Sequence, residues 1–313
     1  MLHLRLIFGT LLALAVIGIT ALDSAVSAMP GPGWRCFGVA LDHWLLNGAL
    51  STLLVLCLAV LAVREMLRLA RHLGYAPLRF EAYVFAGGLV IGPYVSFNVA
   101  RSGALYDESW GMLWLALALA VAFLAQAVRR GTERVMGNLA TTLLVIVYAG
   151  GLLGFMTKLR MEVSGPAGAA LLLFSMFVIK MTDVGAYFAG LAFGRHRAVP
   201  WLSPKKTWEG FAGGVVTAVL CAVLVGGALA PAEWLSAHRA ALAAPGAMLA
   251  FGLLMAAFSI AGDLAESLLK RDAAMKDSGT AIPGMGGFLD VLDSAMLAAP
   301  AAWFFWTRIS PLL

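Results

Sequence analysis

Charged residues are scarce in this 313-residue chain, in which Asp, Glu, Lys and Arg together make up 12% of the sequence. A soluble domain carries about a quarter charged residues, so charge this sparse cannot cover a water-exposed surface. Hydrophobic residues make up 61% of the chain. Apolar runs of about 20 residues form helices in a bilayer, because lipid offers no partner for free backbone groups. The composition excludes a soluble globular protein and predicts an all-α, polytopic membrane protein.

Cysteine is also rare, and the three cysteines, Cys36, Cys57 and Cys221, lie far apart. Without a Cys-x-x-Cys pair they indicate neither a disulfide framework nor a metal site. The sequence lacks a nucleic-acid-binding module and any basic stripe with interleaved aromatic residues, so its net charge of +5 does not indicate a nucleic-acid partner. The basic residues are better explained by loops that orient the helices in the bilayer.

Nine apolar segments predict a helical bundle of about nine transmembrane helices. The sequence contains no internal repeat and no additional soluble domain. The sixth segment is long and carries Lys180 and Asp183, which predicts a tilted helix or a helix broken near Gly185. The predicted spans are 5–22, 45–63, 83–100, 110–128, 137–157, 167–192, 210–230, 245–262 and 292–309.

The first segment has two interpretations. Arg5 precedes an apolar run that ends at Ala25-Val26-Ser27-Ala28, as in a signal peptide with a small-residue cleavage site. The same residues fit an uncleaved first span, which is the interpretation we favour. Both place residues 29–44 on the same side of the membrane.

Basic residues are distributed unevenly between the loops. Of the 22 Lys and Arg residues, 15 lie at the N-terminus or in the loops after the second, fourth, sixth and eighth spans, and six lie on the other side. Because the basic side is cytoplasmic, this predicts a cytoplasmic N-terminus and an external C-terminus in a bacterial-type inner membrane. Loops 193–209 and 263–291 would then face the cytoplasm, where nucleotides are available.

The segment 263–293 carries most of the candidate chemistry. Its first five polar residues recur at helical spacing and form one polar face on a helix that continues the eighth span. A glycine-rich stretch follows, in which backbone amides can approach a ligand closely. Two Asp residues then share a face at the start of the last span. The polar and glycine positions are Asp263, Glu266, Ser267, Lys270, Arg271, Lys276, Asp277, Gly286, Gly287, Asp290 and Asp293.

Carboxylates and cations alternate along this segment, as phosphoryl or nucleotidyl transfer requires. Carboxylates suit Mg²⁺, which usually keeps several waters and bridges to substrate phosphates. A solvated amphipathic connector with local ion pairs is the alternative, but it does not need acids at both lipid boundaries. The predicted metal ligands are Asp263, Asp277, Asp290 and Asp293, and the interleaved cations are Lys270, Arg271 and Lys276.

A second cluster begins within the sixth span. Lys180, Asp183 and Tyr187 lie on one helical face, where Lys180 and Asp183 form either part of a site or a self-neutralising pair within the bundle. We therefore divide the chain into N-terminal transmembrane helices, 1–165, and a C-terminal transmembrane catalytic region, 166–313, that contains both polar loops.

The loop after this span ends in Ser203-Pro204-Lys205-Lys206. Ser203 and Pro204 predict a helix start, with Ser203 as the cap and Pro204 at the first helical position. Lys205 and Lys206 would bring positive charge to a helix N-terminus, which already favours anions. The alternative is a basic cytoplasmic loop with an ordinary helix cap.

Both segments resemble phosphatidate cytidylyltransferase, the family also called CDP-diacylglycerol synthase. Its C-terminal signature joins Ser-x-apolar-Lys-Arg, Lys-Asp, a Pro-Gly-His-Gly-Gly stretch and Asp-Arg-x-Asp. The block 203–210 and the pattern from Asp183 to Gly194 are also similar to the family, whereas residues 1–179 resemble it only as a set of spans. The signature positions here are Ser267, Lys270, Arg271, Lys276, Asp277, Gly284, Gly286, Gly287, Asp290 and Asp293.

Two positions depart from the family pattern. Met285 stands where the pattern has His, and Val291 stands where it has Arg. The first change removes a candidate proton carrier or hydrogen-bond donor to phosphate. The second removes a cation near the metal-binding acids. Every acidic position is kept, so metal binding is the property least affected.

The resemblance implies an enzyme of phospholipid biosynthesis that forms CDP-diacylglycerol and pyrophosphate from CTP and phosphatidate. It implies one or two Mg²⁺ ions at the membrane boundary, where the polar and the lipid substrate meet, and it leads us to expect a homodimer. The implied catalytic residues are Asp263, Ser267, Lys270, Arg271, Lys276, Asp277, Asp290 and Asp293, and the implied substrate-binding residues are Lys205, Lys206, Ser203, Asp183, Tyr187, Gly286 and Gly287.

Three other functions share part of these features. A CTP-dependent lipid kinase would use similar residues, but it would need a base for a lipid hydroxyl and would release CDP. A transporter predicts an internal inverted repeat and ionisable residues spread over several spans, and the sequence shows neither. An inactive paralogue, suggested by Met285 and Val291, would bind metal or CTP without turnover.

Overall fold

The computed structural model describes residues 2–29, 35–36, 39–40, 47–101, 110–163, 165–284 and 286–312. Eight helices in this part of the chain are long and apolar enough to cross a membrane, which confirms the predicted polytopic helical fold. They are α1 (Leu2–Ser27), α2 (Ala49–His72), α3 (Arg79–Arg101), α4 (Trp110–Arg130), the continuous helix formed by α5 (Val135–Val145) and α6 (Leu152–Glu162), α7 (Gly165–Phe193), α8 (Trp208–Leu229) and α10 (Pro245–Asp272).

The ninth predicted span corresponds to α11 (Leu289–Phe304), which has 16 residues and is shorter than the other eight. It continues through a π-helical segment, Phe305–Ile309, and a 3-10 turn, Ser310–Leu312. A second π-helical segment, Ile146–Gly151, joins α5 to α6. Before α10, a 3-10 turn, Glu233–His238, leads into the short helix α9 (Arg239–Ala243).

Two short hairpins interrupt the helical fold. β1 (Arg35–Cys36) pairs antiparallel with β2 (Val39–Ala40), and β3 (Arg197–Val199) pairs antiparallel with β4 (Ser203–Thr207).

The predicted helix start at Ser203 and Pro204 is wrong, because strand pairing with β3 keeps residues 203–207 extended. Pro204 is tolerated there, since an edge strand can lack one backbone donor. The helix begins five residues later, at Trp208, where the hydroxyl of Thr207 accepts a hydrogen bond from the Gly210 N–H at 3.1 Å. Thr207 is therefore the N-cap of α8.

Helix α7 runs through Gly185 without a break, so the predicted alternative of a broken helix is wrong. Gly185 instead lets α8 approach closely: a Cβ there would lie 2.9 Å from the Gly213 carbonyl oxygen and would overlap the Thr217 side chain. Small residues allow such packing between membrane helices, which lack a hydrophobic driving force in lipid. The close pair fixes the β3–β4 hairpin beside the end of α7.

A buried ion pair ties the first helix to the bundle. The Asp23 carboxylate accepts hydrogen bonds from Arg160 Nε, the Ser51 hydroxyl and the Leu50 N–H, each at 2.9 Å. Arg160 also donates to the Ser27 hydroxyl, and both charged side chains are 1% exposed. These contacts favour the uncleaved first span, because removal of α1 would leave the buried Arg160 without its carboxylate.

Replacing Asp23 by Leu should destabilise the protein by about 3–5 kcal/mol, because Arg160 would stay buried and charged without a partner. The double variant Asp23→Leu/Arg160→Met should recover much of this loss, since a packed apolar pair can replace a buried ion pair. Thermal unfolding in detergent micelles would measure both effects. A double variant no more stable than Asp23→Leu would contradict this account.

Candidate active site

The candidate site is built where α7, α10 and α11 come together with the loop 273–288 and the β3–β4 hairpin. Helix α10 continues past the predicted end of its span to Asp272, so the predicted polar face is helical. It begins at Asp263, and Glu266 and Lys270 follow at one-turn intervals. The loop then returns the chain to Asp290 in the first turn of α11.

Lys270 lies between two carboxylates. Its ammonium group donates to Asp290 Oδ1 at 2.6 Å and forms an ion pair with Glu266, one turn earlier on α10. Glu266 is fully buried. The other oxygen of Asp290 accepts hydrogen bonds from the Ser278 N–H at 2.9 Å and from the Gly287 N–H at 2.7 Å. Protein donors therefore occupy both oxygens of Asp290, which organises the loop.

The glycine-rich stretch brings the chain close to these carboxylates. Gly286 has a φ of +96°, which a side chain would strain, and a Cβ there would lie 2.5 Å from Asp290 Oδ2. A Cβ at Gly287 would overlap the Glu65 and Ser278 side chains. The close approach thus serves contacts within the protein, and substrate binding by Gly286 and Gly287 stays a prediction. Met285 lies outside the described residues.

Glu65 is a residue of this site that the sequence analysis missed. It projects from α2 and accepts hydrogen bonds from the N–H groups of Phe288 at 3.0 Å and Leu289 at 2.8 Å, and from the Ser278 hydroxyl at 2.8 Å. The one sequence signal that could have identified it is an acidic residue at the end of an apolar span, where ionisable groups are costly without a partner.

A second group of charged residues lies at the adjoining face of α7. Lys180 donates to Asp183 at 3.2 Å and to the Val291 carbonyl oxygen at 2.9 Å. The Ser294 hydroxyl lies 3.0 Å from Asp183 and 3.2 Å from Asp293. Since a hydroxyl donates only one proton, it cannot satisfy both carboxylates at once. The two carboxylates are therefore close neighbours on either side of one hydroxyl group.

Asp263 completes this group. It forms an ion pair with Lys206 of β4 at 2.7 Å. The backbones of α10 and α11 approach closely beside it, since a Cβ at Gly262 would overlap the Asp293 carbonyl group. This group therefore contains three carboxylates, Asp183, Asp263 and Asp293, but only two lysines that face them, Lys180 and Lys206.

Two buried polar atoms beside these carboxylates have no hydrogen-bond partner among the described residues: the Tyr148 hydroxyl and Glu266 Oε1. Tyr148 lies in the π-helical segment 146–151 and is 8% exposed. Asp263, Glu266 and Asp293 all act electrostatically on its hydroxyl. Uncommitted buried donors and acceptors at a π-helical segment are typical of a functional site.

The predicted set of four metal ligands is not assembled in one place. In the described ranges, no three His, Cys, Asp or Glu side chains converge closely enough to hold a metal ion by themselves. Asp290 is occupied by protein donors, whereas Asp263 and Asp293 lie where α10 and α11 approach each other closely at Gly262. Mg²⁺ is commonly bound through one or two carboxylates plus substrate phosphates, so this pair fits the ion. The four-ligand set stays a prediction.

The remaining predicted residues lie around this centre. Arg271 donates to the Leu202 carbonyl oxygen at 3.2 Å and so links α10 to the β3–β4 hairpin. Tyr187 is exposed and packs edge-to-face against Phe188. Ser203 and Ser267 are half-buried, and Lys205, Arg271, Lys276 and Asp277 are exposed.

Replacing Gly287 by Ala should destabilise the protein by about 1–3 kcal/mol, because the added methyl group would collide with the Glu65 and Ser278 side chains. Gly111→Ala is a matched control, since a Cβ at Gly111 meets no atom within 4 Å and Ala favours a helix. Thermal unfolding in micelles would compare the two. Equal melting temperatures for both variants would contradict the close packing described here.

The family model described as the cytidylyltransferase family matches residues 33–308. The phosphatidate cytidylyltransferase of Haemophilus influenzae is 30% identical over 263 residues, which cover 79% of this chain and 86% of that protein. The phosphatidate cytidylyltransferase of Mycobacterium bovis is 38% identical over 135 residues, covering 43% of this chain and 40% of that protein. The Escherichia coli protein named uncharacterized protein YnbB is 38% identical over 138 residues, which cover 44% of this chain and 43% of that protein.

The two matches of higher identity are local, and they span less than half the length of those relatives. The match to the Haemophilus protein extends over most of both chains, and the family model likewise covers most of this chain. The chain belongs to the cytidylyltransferase family.

Proposed function

We propose that the protein transfers the cytidylyl group of CTP to phosphatidate, forming CDP-diacylglycerol and pyrophosphate. The observation that carries this proposal is the group of carboxylates and lysines where α7, α10 and α11 meet the β3–β4 hairpin: Asp183, Asp263, Asp293, Lys180 and Lys206. Membership of the cytidylyltransferase family and the likeness to a phosphatidate cytidylyltransferase over most of the chain support the same reaction.

In this reaction, an oxygen of the phosphatidate phosphate bonds to the α-phosphorus of CTP. The bond from that phosphorus to the oxygen that bridges to the β-phosphate breaks, and pyrophosphate leaves. Because the attacking oxygen is already anionic, no side chain has to remove its proton or form a covalent intermediate. The protein has to bring two polyanions together, which placed cations make favourable.

We assign Mg²⁺ to Asp263 and Asp293. Two carboxylates, waters and substrate phosphates can complete its octahedral shell. When bound, Mg²⁺ would neutralise phosphate charge and align the two substrates. Lys206 orients Asp263 through their ion pair, and Lys180 supplies positive charge beside Asp293. Lys270 holds Asp290 at the start of α11, which fixes the direction of Asp293 one turn later.

The exposed cations on the β3–β4 hairpin, at the end of α10 and on the loop that follows it are suited to bind the triphosphate of CTP. They are Lys205, Arg271 and Lys276. The excess of Lys and Arg residues in the loops on one side of the membrane supports a cytoplasmic N-terminus, cytoplasmic loops and an external C-terminus in an inner membrane. The homodimer stays a prediction.

Asp263→Asn and Asp293→Asn should each lower kcat by more than about 100-fold, since each removes a charge that holds the metal and its phosphates. Asp272→Asn, at the exposed end of α10, is a matched control that should keep normal turnover. Purified protein with phosphatidate, Mg²⁺ and α-labelled CTP would be followed for label in lipid and for release of pyrophosphate.

Two outcomes of this assay would count against the proposal. Near-normal turnover in both Asp variants would show that Asp263 and Asp293 are not the metal ligands. No label in lipid with a folded, CTP-binding wild-type protein would reject cytidylyl transfer, and γ-labelled CTP with lipid alcohols would then test for a lipid kinase.

A further inference from the structure

Glu65 joins a helix of the N-terminal half to the loop that precedes α11. It is separated from Ser278 by 213 residues in sequence, yet its Oε2 atom lies 2.8 Å from the Ser278 hydroxyl. Its two oxygens also accept the N–H groups of Phe288 and Leu289. With 8% exposure, the residue is buried. Glu65 therefore contacts both ends of the loop 278–288 at once.

The charge of Glu65 is stabilised by backbone groups. No Lys or Arg side chain among the described residues forms an ion pair with it. A buried carboxylate without a cation is costly unless it accepts strong hydrogen bonds. The N–H groups of Phe288 and Leu289 lie at the start of α11, where they have no partner within the helix and the helix dipole favours negative charge. Glu65 thus fixes this helix start.

Ser278 links Glu65 to Asp290. The Ser278 hydroxyl lies 2.8 Å from Oε2 of Glu65 and 2.8 Å from Oδ2 of Asp290. The same oxygen of Asp290 accepts the N–H groups of Ser278 and Gly287, and the other oxygen accepts Lys270. A displacement of Glu65 would therefore move the residues that hold Asp290.

The glycines of the loop are matched to this arrangement. A Cβ at Gly279 would lie 2.7 Å from Glu65 Oε1, and a Cβ at Gly287 would overlap Glu65 Oε2. Both positions therefore leave room for the same carboxylate. Two close approaches from opposite ends of one loop indicate that both ends pack against Glu65.

We propose that Glu65 is a positioning residue for cytidylyl transfer, which holds the loop 278–288 and the start of α11 through Ser278, Phe288 and Leu289. The inference rests on the proposed function. It extends the active-site framework into the N-terminal helices, outside the region 166–313 to which the sequence analysis assigned catalysis.

Glu65→Gln tests this role, because it keeps the shape of the side chain but removes its charge and one acceptor. We expect kcat to fall about 10- to 100-fold with the KM for CTP changed by less than about threefold. A small shift of the start of α11 would misplace the groups that align the substrates, and such a misplacement costs about this much in rate. Hydrogen–deuterium exchange should rise in peptides that cover 276–292. Glu65→Asp keeps the charge but is one methylene shorter, so it should not restore kcat.

Glu81→Gln is the matched control. Glu81 is 2% exposed on α3 and pairs with Arg129 at 2.9 Å, and neither residue contacts the site. This variant should lower the melting temperature but leave kcat within about twofold and the exchange of 276–292 unchanged, because the pair contributes to stability alone.

A Glu65→Gln variant that loses stability but keeps its kcat would behave like the control and would overturn the proposal. Unchanged exchange in 276–292 would overturn it as well, whether or not the wild-type protein turns over CTP. If exchange rises in Glu65→Gln but the wild-type protein transfers no cytidylyl group, the loop contact is supported and the proposed function fails.

Discussion

The two contacts of the Lys270 ammonium group set the geometry of the candidate active site. Lys270 lies between the fully buried Glu266 and the Asp290 carboxylate at the start of α11. A buried carboxylate is costly unless a cation or strong hydrogen bonds stabilise it, and Lys270 is the cation that pairs with Glu266. Glu266 and Lys270 are one turn apart on α10, and helix geometry alone places them together. Asp290 reaches them only if the intervening loop folds back.

The loop meets that requirement with glycines and with a carboxylate from elsewhere in the chain. Gly286 takes a φ that other residues rarely adopt, and Gly287 leaves room for Glu65. Glu65 and Asp290 share the Ser278 hydroxyl and, between them, accept four backbone N–H groups of the loop and helix start. Backbone donors of a loop at a membrane boundary need partners. The two carboxylates provide them at both ends of the loop, which fixes those ends.

The sequence predicts those parts of the protein that depend on local patterns. Apolar runs predict the spans, and the polar face from Asp263 to Lys270 follows from helical spacing, which the structure confirms. The cap at Ser203 was wrong because hairpin pairing with β3, which directly precedes it, extends the backbone up to Thr207. The partners of Glu65 could not be predicted, since they lie more than two hundred residues away and neither propensity nor periodicity reports such a contact.

The departure from the family pattern at Val291 can be understood from the same geometry. An Arg at this position would add a cation beside the acids, and Val removes it. The backbone of Val291 still contributes, because its carbonyl oxygen accepts a hydrogen bond from Lys180 at 2.9 Å. That contact does not depend on the side chain, and it holds a cation next to Asp183 and Asp293. Lys180 on α7 therefore supplies a cation beside these carboxylates whichever side chain stands at position 291.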